Sequence, residues 1–217
     1  FWWRRRSLFA ALLSPIGDLV GAQTLARMGK PSGAVRLPVI CVGNPTVGGA
    51  GKTPTALALI ARLRARGGHP FALLRGHGGR APTPLLVDPA RHGVREVGDE
   101  ALLLAQAAPT VVSGSDRLAG ARLALAEGAS HIVMDDGFQN PSLHKDVSVL
   151  VVDRAVGIGN GKVLPAGPLR APLAPQLARA DALLLVGPAP EPDTCPALAE
   201  AADAAGGGQE PKAAESD

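Results

Sequence analysis

The sequence predicts an α/β fold: an open, mostly parallel sheet with helices on both faces, preceded by an N-terminal membrane-associated helix. From residue 37 onward, short apolar, β-branched-rich runs alternate with stretches of helical periodicity, the order that builds a sheet covered on both sides. The runs are continuous rather than alternating, as strands buried on both faces are. Composition agrees, since 46% hydrophobic and 19% charged residues in a chain of 217 support a sizeable core and exclude a disordered protein. Cys41 and Cys195 have neither the spacing of a disulfide framework nor that of a zinc site, which fits a reducing compartment.

Taken in order, Leu37–Val42 reads as a first strand and Thr53–Arg66 as a helix with apolar residues at helical spacing. Phe71–Leu74 is a second strand, Leu85–Val87 a short one, and Asp99–Ala107 a helix leading to a strand at Thr110–Val112. A further helix, Asp116–Glu127, is stopped by Gly128, whose achiral backbone ends helices readily. Ile132–Met134, Val147–Val152 and Ala182–Val186 complete the strands, and no internal repeat is visible.

Three segments follow: a membrane-proximal amphipathic stretch over residues 1–34, a folded domain over 35–187, and a tail over 188–217 rich in Gly, Ala, Pro and acids. The tail holds seven acids against Lys212 alone, a net −6, so residues 1–187 carry +9. Phe1, Trp2, Trp3 and Phe9 are four of the six aromatic residues, and they flank Arg4, Arg5 and Arg6. Tryptophan beside arginine suits an interfacial anchor on anionic lipid. A plain first helix packed on the domain and a twin-arginine export signal are the alternatives. Pro15, Gly17, Asp18 and Gly21 interrupt the apolar stretch, so a spanning helix of about 20 apolar residues is not expected. The positive charge lacks aromatic interleaving, so no nucleic-acid partner is expected.

The sharpest motif is Gly43-Asn44-Pro45-Thr46-Val47-Gly48-Gly49-Ala50-Gly51-Lys52-Thr53, between an apolar strand and a helix. In that context it reads as a P-loop: backbone N–H groups of Thr46 to Thr53 close around phosphates at a helix N-terminus, Lys52 reaches the β- and γ-phosphates, and Thr53 ligates Mg²⁺. The cofactors expected are therefore ATP and Mg²⁺, and the fold is P-loop NTPase-like. Thr46 stands where the usual spacing has its first glycine. A second motif, His131-Ile132-Val133-Met134-Asp135-Asp136-Gly137-Phe138-Gln139, is an apolar strand ending in acids, where such proteins place a magnesium-organising carboxylate. Gly98-Asp99-Glu100 reads from composition as a helix start, since acids there complement the dipole. The Gly/Pro loop Gly157 to Arg170 follows a strand and carries two cations, as a phosphate- or substrate-facing loop does, and Arg75-Gly76-His77-Gly78-Gly79-Arg80 leaves another strand in the same manner. His69, His92 and His144 read as surface or packing residues.

Together, FWW at the N-terminus, VGNPTVGGAGKTP, RGHGG, GDE, DDGFQ and GNGKVLPAGPLR resemble the tetraacyldisaccharide 4'-kinase family over about residues 1–187. Thr46 is itself a family trait. The resemblance implies ATP-dependent phosphorylation of the 4'-hydroxyl of a tetraacylated glucosamine disaccharide 1-phosphate, yielding lipid IVA. The expected site is the cytoplasmic side of the bacterial inner membrane, with the enzyme held peripherally. By matching position, Asp99 becomes the base for the sugar hydroxyl, acting with Lys52 and Asp136. Glu100, Asp136 and Thr53 become the metal-associated set, with Asp135 beside them. Arg75, His77, Arg117, Asn160 and Arg170 are expected to face the substrate, Arg117 and Arg170 toward its phosphate. His77, Asn140 and Ala171 depart from the family's usual Tyr, His and Glu. The resemblance also implies a second lobe carrying a histidine that assists Asp99, where this chain has its acidic tail. Two other classes compete: a partitioning-type switch ATPase, whose signature lysine position is Val47, and an inactive paralogue that only binds membranes.

Overall fold

The computed structural model describes residues 1–3 and 7–187, so the acidic tail and Arg4 to Arg6 lie outside the described residues. Seven strands form one sheet: β1 Val39–Gly43, β2 Pro70–Leu74, β3 Leu85–Leu86, β4 Thr110–Val112, β5 His131–Asp135, β6 Val147–Asp153 and β7 Ala182–Val186, in the spatial order β3-β4-β2-β5-β1-β6-β7. Every pairing is parallel except that of β3 on β4. The fold class expected from the sequence is thus the one observed, with a short antiparallel edge added.

Side chains alternate across the sheet into two cores. Val39, Cys41, Phe71, Leu73, Ile132 and Met134 point to one face and meet Ala121 and Ala124 of α5 (Arg117–Ala126). Val42, Ala72, Leu74 and Val133 point to the other, against Ala56 and Ile60 of α2 (Lys52–Ala65) and Ala101 and Leu104 of α4 (Asp99–Ala105). Burial on both faces explains why the central strands β1, β2, β4 and β5 are so apolar in sequence. Two short helices, α3 (Val94–Val97) and α6 (Leu173–Leu177), have no periodic signal at that length.

The N-terminal segment differs from expectation. Pro15, Gly17, Asp18 and Gly21 do not interrupt it: α1 runs unbroken from Leu8 to Met28 and is long and apolar enough to cross a membrane by length and composition. Ser7 caps it by accepting from the Ala10 N–H, and Ser14 Oγ donates to the Ala10 carbonyl at 2.6 Å, one position before the hydrogen bond Pro15 cannot make. Its buried residues are Ala10, Gly17, Gly21 and Thr24, a stripe of small side chains. A Cβ on Gly17 would stand 2.7 Å from the Val163 carbonyl oxygen, and one on Gly21 would stand 3.1 Å from Pro172 Cδ. The large residues face outward: Leu8, Phe9, Leu12, Ile16 and Leu19 are 51–89% exposed. Trp2 and α1 are therefore strapped to the loop between β6 and α6. Trp2 Nε1 donates to the Pro165 carbonyl at 2.9 Å, and Lys162 Nζ donates to Ser14 Oγ at 2.7 Å.

Candidate active site

The P-loop motif bridges β1 and α2, with Gly48 at φ 106° and Gly51 at φ 81°, backbone conformations in which a side chain is strained. Gly51 precedes α2 without a side-chain cap, which leaves the first N–H groups of the helix open to an anion. Asn44 Nδ2 and Lys52 Nζ both donate to the Gly48 carbonyl, at 3.1 and 3.3 Å, and close the loop on itself. Across from it, β5 delivers Asp135, which is 3% exposed and accepts a 2.9 Å hydrogen bond from Thr53 Oγ1 through Oδ2. Burial pushes the Asp135 carboxyl up to about 6, with Glu100 and Asp136 adding to the rise while the Thr53 hydrogen bond and Lys52 oppose it.

The next residue, Asp136, adopts a left-handed backbone at φ 53°, costly for a non-glycine residue. Its N–H donates to the Val42 carbonyl at 3.0 Å, and its Oδ2 pairs with Arg170 Nη2 at 3.2 Å. Arg170 also donates through Nε to the Thr46 carbonyl, so one guanidinium ties the acidic strand end to the P-loop. Beneath these, Gln139 Nε2 donates to the Asn44 carbonyl and to Gln176 Oε1, while Gln176 Nε2 donates to the Ala171 carbonyl. Gln176 is fully buried, and this polar knot fixes where the P-loop starts.

The carboxyl ends of the strands open on a cleft of about 1000 Å³, where open α/β sheets bind ligands. Gly48, Gly49, Gly51, Lys52 and Thr53 line it, as do Arg75, His77, Asp99, Glu100, Arg117, Asp135, Asp136 and Arg170. Gly98 holds φ 89°, and a Cβ there would stand 2.6 Å from the His77 carbonyl, so only glycine lets Asp99 sit beside the Arg75–Arg80 loop. Asp99 begins α4, and its Oδ1 accepts from the Glu100 N–H. Arg117 is 3% exposed and donates to Ser113 Oγ and the Gly114 carbonyl. Its Nε has no partner, and burial, with Arg75 nearby, lowers its affinity for its proton to a pKa of about 10.

Four expected positions fall elsewhere. Thr46 is 7% exposed and does not line the cleft. The Val47 N–H is taken by the Pro168 carbonyl, and Ala50 is buried. Asn160 holds its own loop together: its Nδ2 donates to the Ala166 carbonyl, and its Oδ1 accepts from the Lys162 N–H. In the acidic pair it is Asp135 that meets the Thr53 hydroxyl, while Asp136 pairs with Arg170. Gln176 is a residue sequence reasoning missed; its one signal is a lone amide in the apolar run Ala171 to Leu177.

The profile of the tetraacyldisaccharide-1-P 4'-kinase family (LpxK) matches residues 9–213. A tetraacyldisaccharide 4'-kinase of Xanthobacter autotrophicus is 74% identical over 187 residues, covering 86% of this chain and 54% of that protein. One from Azorhizobium caulinodans is 71% identical over 187 residues, covering 86% and 55%. The chain thus spans about half the length of these curated relatives. Among solved structures, the "apo" form of LpxK from Aquifex aeolicus in complex with ATP superposes with a TM-score of 0.73 at 31% identity, covering 82% of this chain and 59% of that one. On sequence profile, identity and fold alike, the chain belongs to the tetraacyldisaccharide-1-P 4'-kinase family.

Proposed function

We propose that this chain carries the nucleotide and phosphoryl-transfer site of an ATP-dependent kinase acting on the 4'-hydroxyl of a tetraacyl glucosamine disaccharide 1-phosphate, with lipid IVA as product. The observation that carries the reading is the Thr53–Asp135 hydrogen bond, which joins the P-loop to the acidic strand end in the cleft that also holds Asp99. In this reading the uncapped start of α2 and Lys52 hold the triphosphate. The Asp99 carboxylate accepts the proton of the 4'-hydroxyl as that oxygen bonds to the γ-phosphorus. The bond from the γ-phosphorus to the β–γ bridging oxygen breaks, and ADP leaves with the electron pair. Such a transfer needs chiefly in-line positioning and neutralised charge.

Asp135 and Asp136 each keep one Oδ1 buried without a partner, which fits a cation beside the phosphates. Mg²⁺ needs only one or two carboxylates, the rest of its shell coming from substrate oxygens and water. Thr53, Asp135 and Asp136 would hold Mg²⁺, with Glu100 lining the same cleft, and when bound it would neutralise charge on the β- and γ-phosphates. Arg75, His77, Arg117 and Arg170 line the remaining cleft and would face the sugar and its phosphate. The exposed large residues of α1 support contact with a membrane; in this reading the contact is peripheral, at the cytoplasmic face of the inner membrane, where the acyl chains stay in lipid.

The test is transfer of label from γ-labelled ATP to the tetraacyl disaccharide 1-phosphate in mixed micelles, with the Xanthobacter relative as positive control and Lys52→Ala as blank. Labelled lipid is expected from the chain and none from the blank. Asp99→Ala should bind ATP nearly as before while transfer falls by about 10²–10⁴-fold, the usual worth of a general base. Equal loss of ATP affinity in Asp99→Ala would remove its role as base. Mg-ATP binding with nucleotide-dependent dimerisation and no labelled lipid would favour the switch ATPase.

A further inference from the structure

A second cavity, of about 190 Å³, lies on the other side of Asn140 and Pro141, which line both it and the cleft. Three separate parts of the chain deliver basic side chains to it: Lys30 follows α1, His144 and Lys145 precede β6, and Arg179 follows α6. Among the described residues no carboxylate lines it. Asp146, next to Lys145 in the chain, and Asp181 are bound to backbone: Asp146 Oδ2 accepts from the Val39 N–H and Asp181 Oδ2 from the N–H of the lining residue Ser148, each within 2.8 Å. Asp146 Oδ1 stands 3.8 Å from His144 Nε2, and both side chains are about half exposed, so screening by water leaves that contact little weight.

Lys145 anchors the cavity. Its Nζ donates to the carbonyls of Asn140 and Leu143, and no carboxylate pairs with it among the described residues. Burial, reinforced by the charge of Arg117, lowers its affinity for a proton. A half-buried ammonium with neutral partners only, facing three further bases, is an arrangement that an anion would complete. The volume suits a phosphate group and little more, well below the 300–1,000 Å³ or so of a pocket that encloses a whole nucleotide or drug-sized ligand. Met28, Phe138 and Leu143 supply an apolar wall. An ammonium-bearing head group is disfavoured by the clustered positive charge.

We propose that this cavity is a second anion site, separate from the nucleotide cleft, that binds a phosphate monoester or an anionic phospholipid head group against Lys30, Lys145 and Arg179. It stands independently of the kinase reading, because its readout is anion binding by a chain whose P-loop has been disabled. Glucosamine 1-phosphate would be titrated calorimetrically into the Lys52→Ala chain, and the same chain sedimented with vesicles of neutral lipid, with or without phosphatidic acid. Lys30→Gln/Arg179→Gln removes two exposed charges without touching the core, and Lys145→Met removes the anchor.

Binding of either probe that survives Lys52→Ala and weakens about tenfold or more in Lys30→Gln/Arg179→Gln is the expected result, one charge-assisted contact being worth about that much. The sugar phosphate alone responding identifies a soluble or substrate-borne phosphate; phosphatidic acid vesicles alone responding identify the bilayer. Loss of all binding in Lys52→Ala, or equal binding by Lys30→Gln/Arg179→Gln, would overturn the proposal. The surface double variant keeps the test decisive where Lys145→Met does not fold.

Discussion

Asp135 sets function against stability. Its carboxyl is raised from 3.8 to about 6, so between those values the folded chain binds a proton that the unfolded chain has released. Stability from this group therefore rises as pH falls through about 6 toward 4, and its cost is fully present at neutral pH, on the order of 3 kcal/mol. Asp135→Asn keeps an acceptor for Thr53 and removes the buried charge. It should raise the thermal midpoint at pH 7, leave it nearly unchanged at pH 4, and lose magnesium-dependent nucleotide binding. Calorimetry at the two pH values with nucleotide titration checks all three. An unchanged midpoint at pH 7 would mean that water reaches the carboxylate more freely than its burial implies. The hydrogen bond that gives Asp135 its place links residues 82 apart in sequence. The two adjacent acids read alike in one dimension, and only the turn at Asp136 decides which of them meets Thr53. Gln176 was illegible for a related reason, since an amide has no meaning until the carbonyls opposite it are known.

Among the elements, α1 shows small residues serving as a contact face. Read along the sequence, Gly17 and Gly21 look like breaks, because glycine in a helix costs about 1 kcal/mol relative to alanine. In the fold they are the buried side, and they let the helix backbone approach the loop around Val163 and Pro172. Gly17→Ala tests which effect wins. Propensity alone predicts a gain of about 1 kcal/mol, but the new methyl would meet a backbone oxygen at 2.7 Å, and backbone cannot step aside as a side-chain tip can. A net loss of about 1–2 kcal/mol in detergent is expected, against no loss for Ala22→Gly beyond propensity. Thermal unfolding of both variants decides it, and a stabilised Gly17→Ala would show that α1 is not seated as described. The strands, by contrast, were legible to within two or three residues. Strands buried on both sides must be apolar throughout, and that signal needs no partner to be read.

For the molecule as a whole, the distribution of large apolar side chains matters more than their number. Those of the central strands β2, β4 and β5 are enclosed, whereas Leu12 and Leu19, at 77% and 71% exposure, touch little of the protein. Leu12→Gln/Leu19→Gln should therefore leave the thermal midpoint of the domain within about 1 °C while reducing sedimentation with vesicles about tenfold or more. Two buried leucine side chains are worth about 3–6 kcal/mol of transfer free energy. Undiminished sedimentation would place membrane attachment elsewhere on the surface.

The strapping of α1 to the loop before α6 also has a consequence in time. The Ser14–Lys162 hydrogen bond spans 148 residues, and a ribosome adding about 5–20 residues per second needs about 7–30 s to make the second partner after the first. For that interval the helix exists without its seat, with its apolar flank and its glycine stripe both uncovered. Whatever first shelters the newborn helix, whether bilayer or chaperone, meets it before its own domain does.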